Sequence, residues 1–347
     1  MLHESNGMYY KTIKKNEVGR FLDGLLAEYT VVAPVRKNGV VGFDAIQSGE
    51  EAILDFSNTT ASPKGVLMPQ LETLLSSRAG EEEAVEHTGM RKPVVLFGAR
   101  PCDARAFMFL DRVFNDGIAR DVYYGNRRDA LLIVSLGCTR TRDTCFCTTT
   151  GGGPLSTQGS DAMLVEQGDG YTVHVITAGG AELMNSRGLS DAHEGVGEEI
   201  RKLALQITAE IDPPVDLSEL KTSLDNSFDT AAWQTLTEKC LSCGVCTYLC
   251  PTCHCFDIAD EDNIGVKVRN RIWDSCQFPG FTMQASGFNP RPTYRERHRQ
   301  RIMHKFSYCD DNHHMTGCVG CGRCVLECPV NLDIRRVLGS FRGRNGG

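Results

Sequence analysis

The chain has 347 residues, 41% of them apolar, and carries 37 basic against 44 acidic residues for a net charge of -7. That length exceeds the usual single-domain size and implies about two domains, and the mild acidity gives no overall reason to expect nucleic acid as a partner. No run reaches the roughly 18 apolar residues of a membrane span, so direct membrane insertion is not expected. The opening MLHESNGMYYKTIKKNEVGR also lacks the apolar core of a signal peptide. The sixteen cysteines are therefore expected in a cytoplasmic chain rather than in a secreted disulfide scaffold, which would also be much shorter.

From about residue 30 to 210, apolar runs alternate with turn signals: YTVVAPV, PVVLFG, ALLIVSLG and AMLVEQGDGYTVHVITA. Gly168, Asp169 and Gly170 part the last into two strands of a hairpin. After Pro101, DARAFMFLDRVFND sets Ala104, Phe107, Met108 and Val113 near one helical face, with Asp103 as N-cap and Gly117 just past the end. Strand, tight loop and helix make this half α/β or α+β. Pro213 and Pro214 in IDPPVDL break the pattern, which divides the chain into domains 1–214 and 215–347. Beyond them, DLSELKTSLDNSFDTAAWQTLTEKC and LDIRRVLGSF space their apolar residues helically, so the C-terminal third is expected to be mostly helical.

Cysteine chemistry dominates that third. Cys240, Cys243, Cys246 and Cys250 with Pro251 follow C-x2-C-x2-C-x3-C-P, and Cys318, Cys321, Cys324 and Cys328 with Pro329 repeat it. This is the spacing that holds 4Fe-4S clusters: three close thiolates bind one cluster, and the fourth ligates the other. The expected sets are Cys240, Cys243, Cys246 and Cys328 for one cluster, and Cys318, Cys321, Cys324 and Cys250 for the second. Zinc knuckles would leave the third and fourth cysteine of each motif unexplained. Because 67 residues lie between Cys250 and Cys318, the insertion must leave and return. Gly244, Gly320 and Gly322 suit loops that bring backbone close to a cluster. Cys253, Cys255, Cys276 and Cys309 read as small buried apolar residues, and His254, His313 and His314 as ordinary polar ones.

The N-terminal half has its own set. Cys102 and Cys138 each follow an apolar run, and Cys145 and Cys147 follow in the second loop. Loops leaving the carboxyl ends of neighbouring parallel strands converge on one site, where Arg100, Arg140 and Arg142 would offset negative charge and the helix beginning near Asp103 would add its N–H groups. A third 4Fe-4S cluster, a zinc site and unrelated buried thiols all remain open for these four. GGGPLSTQGSD has neither the GxGxxG order nor the GK[ST] ending of a phosphate cradle and reads as a loop. RPTYRERHRQRIMHKF carries Arg291, Arg295, Arg297, Arg299, Arg301 and Lys305 against Glu296, and reads as a solvated basic helix face or a dock for an acidic partner.

Taken in order, PVVLFGARPCDARAFMFLDRVF, YYGNRRDALLIVSLGC, CFCTTTGGGP, CLSCGVCTYLCPTCHCFDI and HKFSY followed by CVGCGRCVLECPVNLDI resemble the family of the A-type subunit of anaerobic sulfite reductase, which includes the iron-sulfur beta subunits of cytoplasmic NiFe hydrogenases (sulfhydrogenases). The resemblance covers about residues 60 to 340 and takes in the RPCD and CFC cysteines. It implies an electron-transfer subunit with a helical dicluster ferredoxin domain, working beside a flavin- and NAD(P)-binding subunit and a catalytic oxidoreductase subunit. The sequence itself shows no flavin or nicotinamide fingerprint, nucleophile motif or acid/base pair, so the substrate chemistry is expected in other subunits. The contrasting expectation is a stand-alone thiol/disulfide enzyme using Cys253, Cys255 or the N-terminal thiols.

Overall fold

The computed structural model describes residues 9–78, 84–88, 92–185, 188–211 and 216–342. Its strands, in chain order, are β1 Tyr9–Lys14, β2 Thr30–Lys37, β3 Val40–Ala45, β4 Leu71–Arg78, β5 Val85–Glu86, β6 Val94–Ala99, β7 Leu131–Leu136, β8 Ala162–Gln167, β9 Gly170–Val175, β10 Ser190–Asp191, β11 Phe256–Asn263 and β12 Val266–Trp273. Residues 1–63, 90–108 and 129–213 form one compact unit, and residues 64–89, 109–128 and 214–347 a second. The second unit thus takes two segments from the half that the sequence reading assigns wholly to the first domain. Pro213 and Pro214, the proposed boundary, lie outside the described residues.

The first unit is built on an eight-stranded sheet ordered β10-β1-β9-β8-β7-β6-β2-β3. Its centre, β2-β6-β7-β8, is parallel, and the flanking pairs are antiparallel. A parallel centre is covered on both faces and so needs unbroken apolar strands; every residue of β6 is buried, as are all but one of β7. Successive side chains alternate between faces. Val95, Phe97, Val134 and Leu136 join Phe21, Leu22 and Leu25 of the helix Val18–Leu26 and Leu183 and Met184 of the helix Ala178–Asn185. Met163 and Val165 instead join Val196 and Ile200 of the helix Val196–Thr208. The hairpin at Gly168 forms as the sequence implies, with Gly168 at φ 58°.

Two local expectations are corrected. The helix Pro101–Phe114 begins at the proline, so Asp103 lies in its first turn and is not the N-cap; proline suits that first position because its missing N–H would be unpaired there anyway. Met108 is exposed, unlike Ala104 and Phe107.

The second unit contains the helices Leu217–Asn226, Ala232–Thr237, Tyr294–Met303 and Ile334–Phe341. Trp233 is fully buried, donates from Nε1 to Ser227 O at 2.9 Å, and lies 4.4 Å from the Phe341 ring. The insertion between the cysteine motifs opens with the antiparallel hairpin β11–β12, and β12 pairs with β4 in a sheet ordered β11-β12-β4-β5. Ile264 and Gly265 turn that hairpin with φ of 50° and 80°. A β-branched residue is unusual at such a position, so the turn carries no Asn-Gly signal of the kind that marks a hairpin in sequence.

Burial of charge ties these segments together. Arg271 Nη2 lies 2.7 Å from Glu72 Oε2 and its Nη1 2.5 Å from Asp121 Oδ2, while Arg127 grips the other oxygen of Glu72. Removing one member of a buried ion network leaves its partners uncompensated at a cost of roughly 3–5 kcal/mol. Glu72→Ala is therefore expected to destabilise the chain by about 3 kcal/mol, read as an earlier midpoint in anaerobic guanidinium unfolding; an unchanged midpoint would show that the network contributes nothing.

Candidate metal centres

The two C-terminal motifs adopt one local design. Gly244, after Cys243, and Gly322, after Cys321, have φ of 75° and 73° and start the one-turn helices Val245–Tyr248 and Arg323–Leu326. Glycine alone takes that left-handed conformation without a Cβ penalty, and the turn releases the chain into a helix between the second cysteine of each motif and the third.

Cys240, Cys243, Cys246 and Cys328 line one cavity together with Gln277, His298 and Arg301. The structure thus brings the last cysteine of the second motif to the first three of the first. Cys250, Cys318, Cys321 and Cys324 form the complementary neighbourhood, close enough that the Cys250 and Cys324 charges act on both Cys318 and Cys321. Burial pushes the Cys246 and Cys321 thiols up to about 12 and Cys318 to about 11, so these sulfurs ionise only where positive charge meets them, as a metal centre provides.

The basic run supplies some of that charge, which corrects its reading as a solvated face. Arg297, His298, Arg301 and Lys305 are all 5% exposed or less. Burial opposes the Arg301 charge, but the Cys246, Cys324, Cys253 and Cys250 thiolates outweigh it and hold its pKa well above the ordinary value. Lys305 behaves alike beside Cys250, Cys253 and Cys318. His298 is driven to about 3 by burial. Both His298 ring nitrogens, Arg301 Nε and Gln277 Oε1 are buried without a hydrogen-bond partner, although each belongs to a residue lining the cysteine cavity. Such orphaned groups are what a sulfur-rich cofactor beside them would engage, so the residues present fit a cluster there.

Cys276 and Cys309 are buried as expected, but Cys253 and Cys255 are only half-buried and take part in polar contacts. The Cys253 thiol hydrogen-bonds Cys250, which holds Cys250 well below its ordinary value. Cys255 is lowered to about 7, first by its hydrogen bond with Cys276. Lys64 Nζ donates to Cys253 O at 2.9 Å and sits 4.0 Å over the Trp273 ring. His254 packs against Phe109, Phe114 and His304, and burial lowers it to about 4.

In the first unit, β6 and β7 are parallel neighbours. Cys102 stands in the first turn of the helix after β6, and Cys138 just beyond β7, where its N–H donates to Pro154 O at 2.9 Å. Cys145 follows in the same connection, and Cys147 opens its 3-10 turn Cys147–Thr150. Burial pushes Cys147 up to about 12, with Cys138 and Cys145 adding to the effect, which places these three thiols together. Of the three arginines expected to offset charge, only Arg100 bonds a thiol, that of Cys138. Arg140 pairs with Asp55, and Arg142 bonds Ser57 Oγ at 2.7 Å and Asn58 O at 3.0 Å. Arg100 Nε, Thr144 Oγ1 and Thr148 Oγ1 are buried without partners, all within the cysteine-bearing loops or next to them. GGGPLSTQGSD forms a packed loop with Leu155 and Ser160 buried.

Among the described residues, no three His, Cys, Asp or Glu side chains converge as they would on a single ion. A tetrahedral zinc draws its four donors to one point, whereas in a 4Fe-4S centre the four thiolates attach to separate irons. Nor is any helix among the described residues long and apolar enough to cross a membrane.

Comparison with known proteins supplies the family. Residues 239–332 match the model of a 4Fe-4S dicluster domain. Over 338 residues, 96% of this chain and 99% of the other, the chain is 30% identical to sulfhydrogenase 2 subunit beta of Pyrococcus furiosus. The chain belongs to the sulfhydrogenase beta subunit family. No solved structure matches it. Membership this complete covers the sheet unit as well as the cysteine motifs, and the dicluster domain brings two 4Fe-4S clusters to this beta-subunit homologue. The cations beside the thiols then act on cluster retention: Arg301→Met, which keeps volume and removes charge, is expected to lower bound iron by roughly half of one cluster's four atoms, measured by iron and sulfide analysis after anaerobic desalting.

Proposed function

We propose that this chain is the iron-sulfur electron-transfer subunit of a hydrogenase-type complex, passing electrons between a flavin- and NAD(P)-binding subunit and a catalytic oxidoreductase subunit. The observation that carries the reading is the gathering of Cys240, Cys243, Cys246 and Cys328 around one cavity inside the dicluster domain. In this reading those four thiols hold one 4Fe-4S cluster, and Cys318, Cys321, Cys324 and Cys250 hold the other. Bound clusters supply one-electron redox chemistry. The protein supplies thiolate ligands and buried cations that compensate their charge.

The proposal extends to a third 4Fe-4S cluster held by Cys102, Cys138, Cys145 and Cys147. The adjacency of Cys138, Cys145 and Cys147, the orphaned polar atoms beside them and the first turn of the helix Pro101–Phe114 support it. Anaerobic iron and sulfide analysis is expected to find about twelve irons per chain and about eight in Cys138→Ser; about eight in the wild type would remove the third cluster from the proposal.

Cys243→Ser or Cys321→Ser is expected to abolish turnover of the purified complex with its physiological reductant while leaving the partner's activity with artificial dyes intact. Survival of physiological turnover in either variant would contradict the relay. Mass spectrometry of a complex captured anaerobically through a tag on this chain identifies the flavin and catalytic subunits.

A further inference from the structure

The two ligand sets sit in unlike electrostatic surroundings: Arg323 lies beside Cys321, and Lys305 bonds a ligand sulfur directly. This lysine lies on the π-helical turn His304–Tyr308, which continues the helix Tyr294–Met303; such turns are rare and recur at functional sites. Lys305 Nζ, on a residue only 4% exposed, donates to Cys250 Sγ at 3.4 Å, Thr252 Oγ1 at 3.0 Å and Gly317 O at 2.8 Å. Thr252 Oγ1 itself lies 3.2 Å from Cys250 Sγ and donates to Gly317 O at 2.7 Å, so the ammonium is fixed in place by two neutral oxygens. Among the described residues no carboxylate pairs with it. A buried ammonium without a carboxylate persists where other negative charge is supplied, and here the sulfurs supply it.

Around Cys240, Cys243, Cys246 and Cys328 the arrangement differs. The polar side chains that line their cavity are Ser242, Gln277, His298 and Arg301, with no lysine among them. Arg301 interacts with Cys246 of this set and with Cys324 and Cys250 of the other, so it is shared between the two rather than private to this one. Adding an electron makes a cluster more negative, so a fixed cation hydrogen-bonded to a ligand sulfur favours the reduced state and raises the reduction potential.

We propose that Lys305 is a potential-setting residue that holds the cluster of Cys318, Cys321, Cys324 and Cys250 above the other dicluster centre, so that a single electron shared between the two rests there. The transfer it biases is a one-electron exchange in which one cluster is oxidised as the other is reduced, and the ammonium keeps its proton throughout. The inference rests on the ligand sets proposed above.

The test is an EPR-monitored redox titration of the anaerobically purified full-length chain, wild type against Lys305→Met and Lys305→Arg, with iron and sulfide determined for each. A wild-type chain with fewer than about eight irons would sink the ligand assignment itself, whatever Lys305 does. With that iron present, Lys305→Met is expected to lower one dicluster midpoint by at least tenfold in the reduction equilibrium, about 59 mV for one electron. The second midpoint stays in place, and Lys305→Arg restores most of the loss. Two unmoved midpoints, or two that move equally, with iron retained, overturn the proposal. Should Lys305→Met shed its cluster, wild-type chain labelled with 15N-lysine decides by ENDOR: a 15N coupling on one dicluster signal upholds the contact, and its absence from both overturns it.

Discussion

Bringing sulfur and buried positive charge together is the constraint on which the second unit depends. Arg297, Arg301, Lys305 and Arg323 are each 5% exposed or less, and charges so placed are costly unless other charges and hydrogen bonds compensate them. Thiols carry the same difficulty in reverse, since burial drives Cys246, Cys318 and Cys321 toward the protonated form. Each population makes the other tenable. The requirement explains why a helix as polar as Tyr294–Met303 is packed inside: Arg301 meets thiols, while Arg297 is held by Arg291 O, Pro292 O and Ser242 Oγ.

The first unit rests on different physics. Its parallel strands are buried by apolar helices on both faces, so the sheet owes little to the cysteines beyond its edge. What the sheet contributes is placement. Because β6 and β7 run parallel and adjacent, both end at the same edge, and Cys102 and Cys138 leave from those ends with Cys145 and Cys147 close behind. The scaffold is apolar and regular, and the chemistry-bearing residues sit where regular structure stops. Arg100 stays with the thiols because it also anchors to Leu136 O and Gly137 O at the end of β7.

A relay subunit needs ligands, compensation and insulation more than it needs a substrate cleft. The second unit has the first two in its thiols and its buried cations, and buries Cys250 and Cys318. The hairpin β11–β12 shows how the long insertion is accommodated: it pairs outward with β4 and is locked by Arg271 to Glu72 and Asp121, leaving the chain to return through the helix Tyr294–Met303 to the second motif.

Much of this was legible in the chain alone wherever function depends on local spacing. C-x2-C-x2-C-x3-C-P states its chemistry within twelve residues because the turns between ligands are short and sterically determined, and Gly244 and Gly322 mark those turns. The apolar runs of β6 and β7 and the Gly168 hairpin were equally readable, since a covered parallel strand has few other ways to be written. Long-range pairing decided the rest. Nothing local in Leu71–Arg78 announces that it will pair with residues 266–272, and the Ile264–Gly265 turn hides the hairpin. Nor does a run of arginines reveal whether water or thiolates will face it. Arg140 and Arg142 turned to Asp55 and to Ser57 and Asn58, while Arg301 and Lys305 turned inward to sulfur, although all four are cations a few residues from a cysteine or a histidine. Spacing along the chain is enough to single out the thiols of the two repeated motifs; which charges meet them is settled only by folding, because an electrostatic partner is chosen by distance through space.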